Sequence, residues 1–335
     1  MKHYNIPIFV PHKGCPNDCV FCNQKKITGT QNDITAENIN TIVEEHLKTL
    51  PKNDRTVEIA FFGGSFTGID FDMQGQFLSV AHEYIKSGQV DGIRLSTRPD
   101  YIDRNILEQL NRYGVTTIEL GVQSLNEKVL KQSNRGHTEN DVYDAVKLIK
   151  EYNFSLGLQM MTGLPGDTDV ISVETAKKII DLKPDFVRIY PTLVLKDTKL
   201  EEMYHNGSYE PQTLQEAVSL CKKLLLLFTD ADIPVIRISL QTTDEITPGG
   251  SLVCGPFSSQ FRELVESEIY YDKFYEKLKD FSDDNVLILV SPKEISKAIG
   301  KNKSNIYKLK KMLNMDVKIT ADININAGDF VIAKP

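Results

Sequence analysis

Gly14-Cys15-Pro16-Asn17-Asp18-Cys19-Val20-Phe21-Cys22-Asn23, directly behind the strand-like run Ile6-Pro7-Ile8-Phe9-Val10, sets three cysteines in a C-x3-C-x2-C loop with no fourth close by. Thiolate is the side chain best suited to iron-sulfur clusters, and a 4Fe-4S cube needs a ligand on each iron. Three thiolates therefore leave one iron open, the condition that separates reactive from sealed metal sites. Turn formers dominate the loop, and Phe21 stands where it can shield one side of a cluster. A three-cysteine zinc site with His12 as fourth ligand, or simple reduced thiols, are the competing readings.

Working outward, short β-type runs alternate with longer helical patterns. The strand candidates are 6–10, 57–62, 92–97, 117–122, 155–161 and 186–191, with a seventh candidate at 235–240. Helical segments fall at 36–50, 72–87, 103–112, 138–152 and 172–182, and Thr35 and Ser172 are expected to cap the first and last of them. This alternation is the βαβ signature of a parallel sheet covered by helices. The fold class expected is α/β, a partial (β/α)6 TIM-like barrel. Its strand ends collect the cysteines, Gly63-Gly64-Ser65, Arg98, Gln123 and Gln159 on one face. Arg188 and Tyr190 share a strand face through the two-residue period. Turn formers at 246–251 suggest a boundary, giving a barrel over 1–245 and a small α+β domain over 246–335.

The 335 residues can bury a large core, and the net charge of −7 disfavours nonspecific nucleic-acid binding by the whole surface. Five cysteines, three of them clustered, do not form a disulfide scaffold. The N-terminus has no signal-peptide core and no run is long enough to span a bilayer, so a cytoplasmic location is expected, with no membrane partner. Cys221 reads as a core thiol and Cys254 as a more accessible structural one.

Phe61-Phe62-Gly63-Gly64-Ser65-Phe66-Thr67 places paired glycines one βα unit after the cysteine loop, where exposed backbone can receive the polar end of a cofactor. With this arrangement the chain resembles the radical S-adenosylmethionine (SAM) enzymes. The resemblance implies that Cys15, Cys19 and Cys22 hold a 4Fe-4S cluster and that SAM chelates its free iron. A low-potential donor then supplies the electron that cleaves SAM to a 5′-deoxyadenosyl radical. It further implies that Gly63-Gly64-Ser65 receives the methionyl amino group, Arg135 the methionyl carboxylate and Gln123 the ribose. Gln159 stands where related enzymes often carry an acidic ribose contact. Phe21 and Arg98 join the cofactor-binding set, and Arg188 and Tyr190 the catalytic one.

Ser96-Thr97-Arg98-Pro99-Asp100, Gly121-Val122-Gln123-Ser124, Asn134-Arg135-Gly136-His137-Thr138 and Arg188-Ile189-Tyr190-Pro191-Thr192-Leu193-Val194 resemble the Elongator branch of this family over roughly residues 1–245. That branch modifies the wobble uridine of transfer RNA. Its acetyltransferase domain and zinc-binding cysteines have no counterpart expected here. His137 is expected to help order Arg135.

Ala298-Ile299-Gly300-Lys301-Asn302-Lys303-Ser304 resembles the GxxG turn of a KH-type RNA-binding domain, with Lys303 replacing the second glycine. From Pro292 to Thr320, eight lysines oppose only Glu294 and Asp316. Lys297, Lys301, Lys303, Lys308 and Lys311 are the RNA-contact candidates, although no exposed-looking aromatic accompanies them for base stacking. The function expected is a radical SAM enzyme acting on transfer RNA. A radical SAM enzyme for a small molecule, or a noncatalytic iron-sulfur RNA-binding protein, are the alternatives.

Overall fold

The computed structural model describes residues 2–10, 15, 19–23, 34–240, 246–281 and 283–333. They form two compact units: Met1–Thr213 with Leu227–Pro256, and Leu214–Leu226 with Phe257–Pro335.

The first unit carries strands β1 (Lys2–Val10), β2 (Arg55–Gly63), β3 (Gly92–Thr97), β4 (Val115–Gln123), β5 (Ser155–Thr162), β6 (Phe186–Pro191), β7 (Val194–Leu195), β8 (Val235–Ile238) and β9 (Leu252–Cys254). Its helices are α1 (Ala36–Thr49), α2 (Phe71–Lys86), α3 (Arg104–Arg112), α4 (Glu127–Gln132), α5 (Glu139–Glu151), α6 (Asp169–Asp181) and α7 (Lys199–His205); α8 (Leu214–Asp230) runs from one unit to the other. Seven strands pair in parallel in the order β1-β2-β3-β4-β5-β6-β8. Strands added in chain order curl into a partial barrel, and the seventh candidate strand completes it.

The two-residue period sorts the side chains. Ile59, Phe61, Ile93, Leu95, Ile118, Leu120, Leu158, Val187 and Ile189 are wholly buried. Each such side chain contributes about 1.5–3 kcal/mol relative to exposure. The alternate positions Phe62, Ser96, Gln159, Met161 and Tyr190 stay half-buried although they lie within or at the ends of central strands. Half-exposure in the middle of a sheet marks an open lumen.

Thr35 caps α1 through a capping box with Asn38. The expected cap at Ser172 is corrected: Thr168 caps α6, accepting from the Ile171 N–H, and Ser172 lies inside the helix donating to Asp167. Threonine four residues upstream offers the same oxygen with a full extra turn behind it.

The second unit holds α9 (Phe261–Leu278), α10 (Ile295–Ile299) and α11 (Ser304–Leu313) with strands β10 (Asn285–Val290), β11 (Asp316–Ala321) and β12 (Phe330–Ala333). Central β10 pairs in parallel with β11 and antiparallel with β12. Tyr270, Phe274, Val286, Ile288, Leu309, Val317 and Ile319 form its core. The 245/246 division expected from the turn formers differs from these units, because β9 pairs with β7 and so keeps the chain in the first unit through Pro256.

In the turn between α10 and α11, Gly300 has φ 76°, and a Cβ there would lie 2.3 Å from Ser304 Oγ. Asn302 (φ 54°) and Lys303 (φ 62°) are also left-handed. Lys303 thus takes a conformation suited to the glycine it replaces, at a cost of about 1–3 kcal/mol.

Candidate active site

Two backbone bonds dock the cysteine loop on the barrel: the Val20 N–H donates to the Ser133 carbonyl (3.1 Å), and the Leu200 N–H to the Val20 carbonyl (2.7 Å). Phe21 packs against Val20, Val194, Leu200 and Tyr209. Cys19 is buried; Cys15 and Cys22 are half-buried. The Cys22 N–H closes a turn on the Cys19 carbonyl (3.0 Å). Burial pushes the Cys15 thiol up, while the positive charges of Arg135 and Arg98 and a bond from the Ser65 N–H oppose that rise. The cysteine loop and the glycine stretch therefore meet at Cys15 and Ser65. Cys221 is fully buried and Cys254 half-buried.

Ser65 and Thr67 both bond the Thr97 hydroxyl (2.8 and 2.5 Å), and the Arg98 N–H donates to Ser65 Oγ (3.2 Å). The end of β2 is so locked to the end of β3. Arg98, 1% exposed, grips Asp100 through Nε and Nη2 (2.9 and 2.7 Å).

At the end of β4 the register shifts between Gly121 and Gln123, and Gln123 is left-handed (φ 66°). The loop that follows clamps this bulge: Arg135 Nη2 donates to the Gly121 carbonyl (2.7 Å) and His137 Nε2 pairs with the Val122 carbonyl (3.2 Å). A Cβ at Gly121 would come within 2.8 Å of Arg135 Nη2, so glycine is what lets the guanidinium in. Arg135 Nη1 donates to Cys19 Sγ (3.4 Å). One arginine thus joins a cysteine of the loop to the strand end carrying Gln123.

His137 is 3% exposed. Burial, then the neighbouring Arg135 charge, push its pKa down to about 3, so it is neutral at ordinary pH. The sign follows: protonation favours the unfolded chain, so this group's stabilisation is complete above the ordinary value of about 6.5 and drains away as pH falls toward 3. Between pH 7 and pH 5 it should cost the native state about 2 kcal/mol. Urea denaturation of wild type and His137→Gln at both pH values checks this, with the variant expected to lose correspondingly less.

Deeper in the lumen, Glu119 is completely buried and accepts from Arg94 Nη1 (2.9 Å), Arg188 Nε and Nη2 (2.6 and 2.9 Å) and Gln159 Nε2 (2.9 Å). Arg94 continues the ladder to Glu58, which His3, Thr116 and Thr117 also bond. Tyr190 follows two residues after Arg188 on β6, on the same strand face. The sequence reading placed Gln159, Arg188 and Tyr190 at the site but missed Glu119, which holds the first two in place. Its signal was available: charged residues recurring at alternate positions of otherwise apolar parallel strands.

The fit of the implied groups rests on what the pocket leaves open. Arg98 Nη1, Gln123 Oε1, Arg135 Nε and His137 Nδ1 are buried with no hydrogen-bond partner among the described residues. Buried polar atoms are normally satisfied, so such a cluster beside three cysteines fits a polar cofactor. His12, which the zinc reading needs, lies outside the described residues, and among those described no three His, Cys, Asp or Glu side chains converge on one ion. A four-iron cube makes a different demand, for thiolates spread around its corners.

Two family profiles match the chain. The Radical SAM superfamily profile matches residues 9–179, and the Radical_SAM C-terminal domain profile matches residues 184–271. The tRNA uridine(34) acetyltransferase of Methanocaldococcus jannaschii is 29% identical over 196 residues, 52% of this chain and 36% of that protein. Human Elongator complex protein 3 is 30% identical over 204 residues, 55% of this chain and 37% of that one. The chain thus spans little more than a third of the length of these relatives. Among solved structures, Methanocaldococcus infernus Elp3 lacking residues 1–46 shares the fold, with a TM-score of 0.63 at 24% identity over 82% of this chain and 63% of that one.

Proposed function

Because the chain belongs to the radical SAM superfamily, whose enzymes use a 4Fe-4S cluster and SAM, we propose that it modifies transfer RNA, at the wobble uridine. The observation that carries the substrate is the similarity to a tRNA uridine(34) acetyltransferase across half of this chain. Cys15, Cys19 and Cys22 hold the cluster. Gly63-Gly64-Ser65, Arg98, Gln123 and Arg135 receive SAM, and Phe21 covers the loop. When bound, the pair supplies hydrogen-atom abstraction, fed by a low-potential electron donor. Gln159, Arg188 and Tyr190 line the lumen that shields the reacting base from solvent. In this reading Arg135 binds the carboxylate through its open Nε side while keeping its bond to Cys19.

The C-terminal unit docks the RNA. From Lys297 to Lys311 the lysines divide into two sets: Lys297 pairs with Glu266, Lys308 with Glu268 and Lys310 with Asp316. Lys301, Lys303 and Lys311 have no ion-pair partner among the described residues and face solvent. The phosphate contacts therefore fall to these three, and the contribution expected of Lys297 and Lys308 is reduced by carboxylates of α9.

Anaerobic turnover of reconstituted, reduced protein with bulk transfer RNA, followed by nucleoside mass spectrometry, tests the proposal. A uridine derivative of increased mass at the wobble position is expected. Unaltered nucleosides with continued SAM consumption on an added small molecule would instead establish the small-molecule reading.

A further inference from the structure

We propose that the outward face of α11, with Tyr307 at its centre and Lys303 and Lys311 one turn to either side, is a stacking platform for an unpaired base of single-stranded RNA. The inference rests on the transfer RNA reading and assigns to it a residue and a mode of contact.

Tyr307 is 63% exposed, the most exposed aromatic among the described residues. Its position in the helix explains why. Asn305 and Leu309 are fully buried and anchor α11 to the unit, with Asn305 Nδ2 donating to the carbonyls of Ser267 (2.9 Å) and Ala298 (3.0 Å). At 100° per residue, Tyr307 is turned about 200° from both, onto the opposite side. Residues four apart share a helix face, so Lys311 lies on the Tyr307 side of α11, and Lys303 stands one turn before Tyr307 at the N-cap.

The charge of this face specifies the occupant. No acidic residue occurs in α11, and neither Lys303 nor Lys311 has an ion-pair partner among the described residues. The helix's other lysines are neutralised by Glu268 and Asp316. An accessible ring on a helix that carries uncompensated cations one turn before and one turn after it matches a base stacked within a phosphate-bearing strand. Stacking accepts any base and demands an unpaired one, so the ligand is a single-stranded stretch such as a transfer RNA loop or end.

The test is direct binding of fluorescently labelled transfer RNA and of oligouridine to the full chain, comparing wild type, Tyr307→Ala, Tyr307→Phe and the double variant Lys303→Ala, Lys311→Ala. Tyr307→Ala should weaken both RNAs by about fivefold or more, and Tyr307→Phe should bind as wild type. The lysine variant should weaken binding and flatten its logarithmic salt dependence by about 1.4. A zero-length crosslink from 4-thiouridine RNA should map to Tyr307, a readout that a purely structural tyrosine would not give. Unchanged affinity of Tyr307→Ala overturns the platform, and if wobble uridine is still converted the functional reading stands without it. Failure of the wild type to bind any RNA removes both, and an acidic protein competing at this face while RNA does not bind identifies a different occupant.

Discussion

Glu119→Ala should destabilise the barrel by about 3–5 kcal/mol, because it removes one partner of a buried ionic network and leaves the other uncompensated. Glu119 is wholly buried and accepts four hydrogen bonds from Arg94, Arg188 and Gln159. Arg94 retains Glu58 in the variant, whereas Arg188 loses both of its bonds to the carboxylate. The penalty therefore concentrates on β6, at the strand that carries Tyr190. Glu119→Gln is the milder change, since the amide still accepts through one oxygen. Urea midpoints of the two variants against wild type measure the effect. A loss below about 1 kcal/mol for Glu119→Ala would mean that solvent in the lumen screens the network.

Cys19→Ala should reduce cluster content and cofactor cleavage to background. It removes the most buried of the three thiols and also the acceptor of the Arg135 Nη1 bond. Serine is no substitute, because its harder, less acidic oxygen is a poor ligand for iron in a sulfide cluster. Iron and sulfide content after anaerobic reconstitution, with the visible absorption of the cluster, measures the loss separately from turnover. The fold itself should survive, since the loop is also held through the Val20 and Leu200 backbone bonds.

The barrel was legible because its signals are local. Strands at 92–97 and 186–191 appear at the expected bounds, since apolar periodicity and turn formers act within a few residues. β7, β9 and β12 were missed: they are two to four residues long, and their pairing rather than their composition defines them. The site residues were legible as a set of strand ends, but their partnerships were not. Gln159 meets Glu119 across 40 positions and Arg188 meets it across 69, separations for which a single sequence carries no pattern. The lysine-rich segment shows the same limit in reverse. Its surplus charge was counted within one window, while Glu266 and Glu268 arrive from α9, outside it. Tyr307 was hidden differently, for its exposure follows from a helix face that is plain only once Asn305 and Leu309 are seen to be the buried pair.

The most direct test of the central claim is 5′-deoxyadenosine formation by anaerobically reconstituted, chemically reduced protein in the presence of SAM and transfer RNA, with Cys19→Ala alongside. Formation by wild type, stimulated by the RNA and absent from the variant, is the predicted result. An intact, reducible cluster in wild type that yields no 5′-deoxyadenosine with transfer RNA or with small-molecule substrates would contradict it.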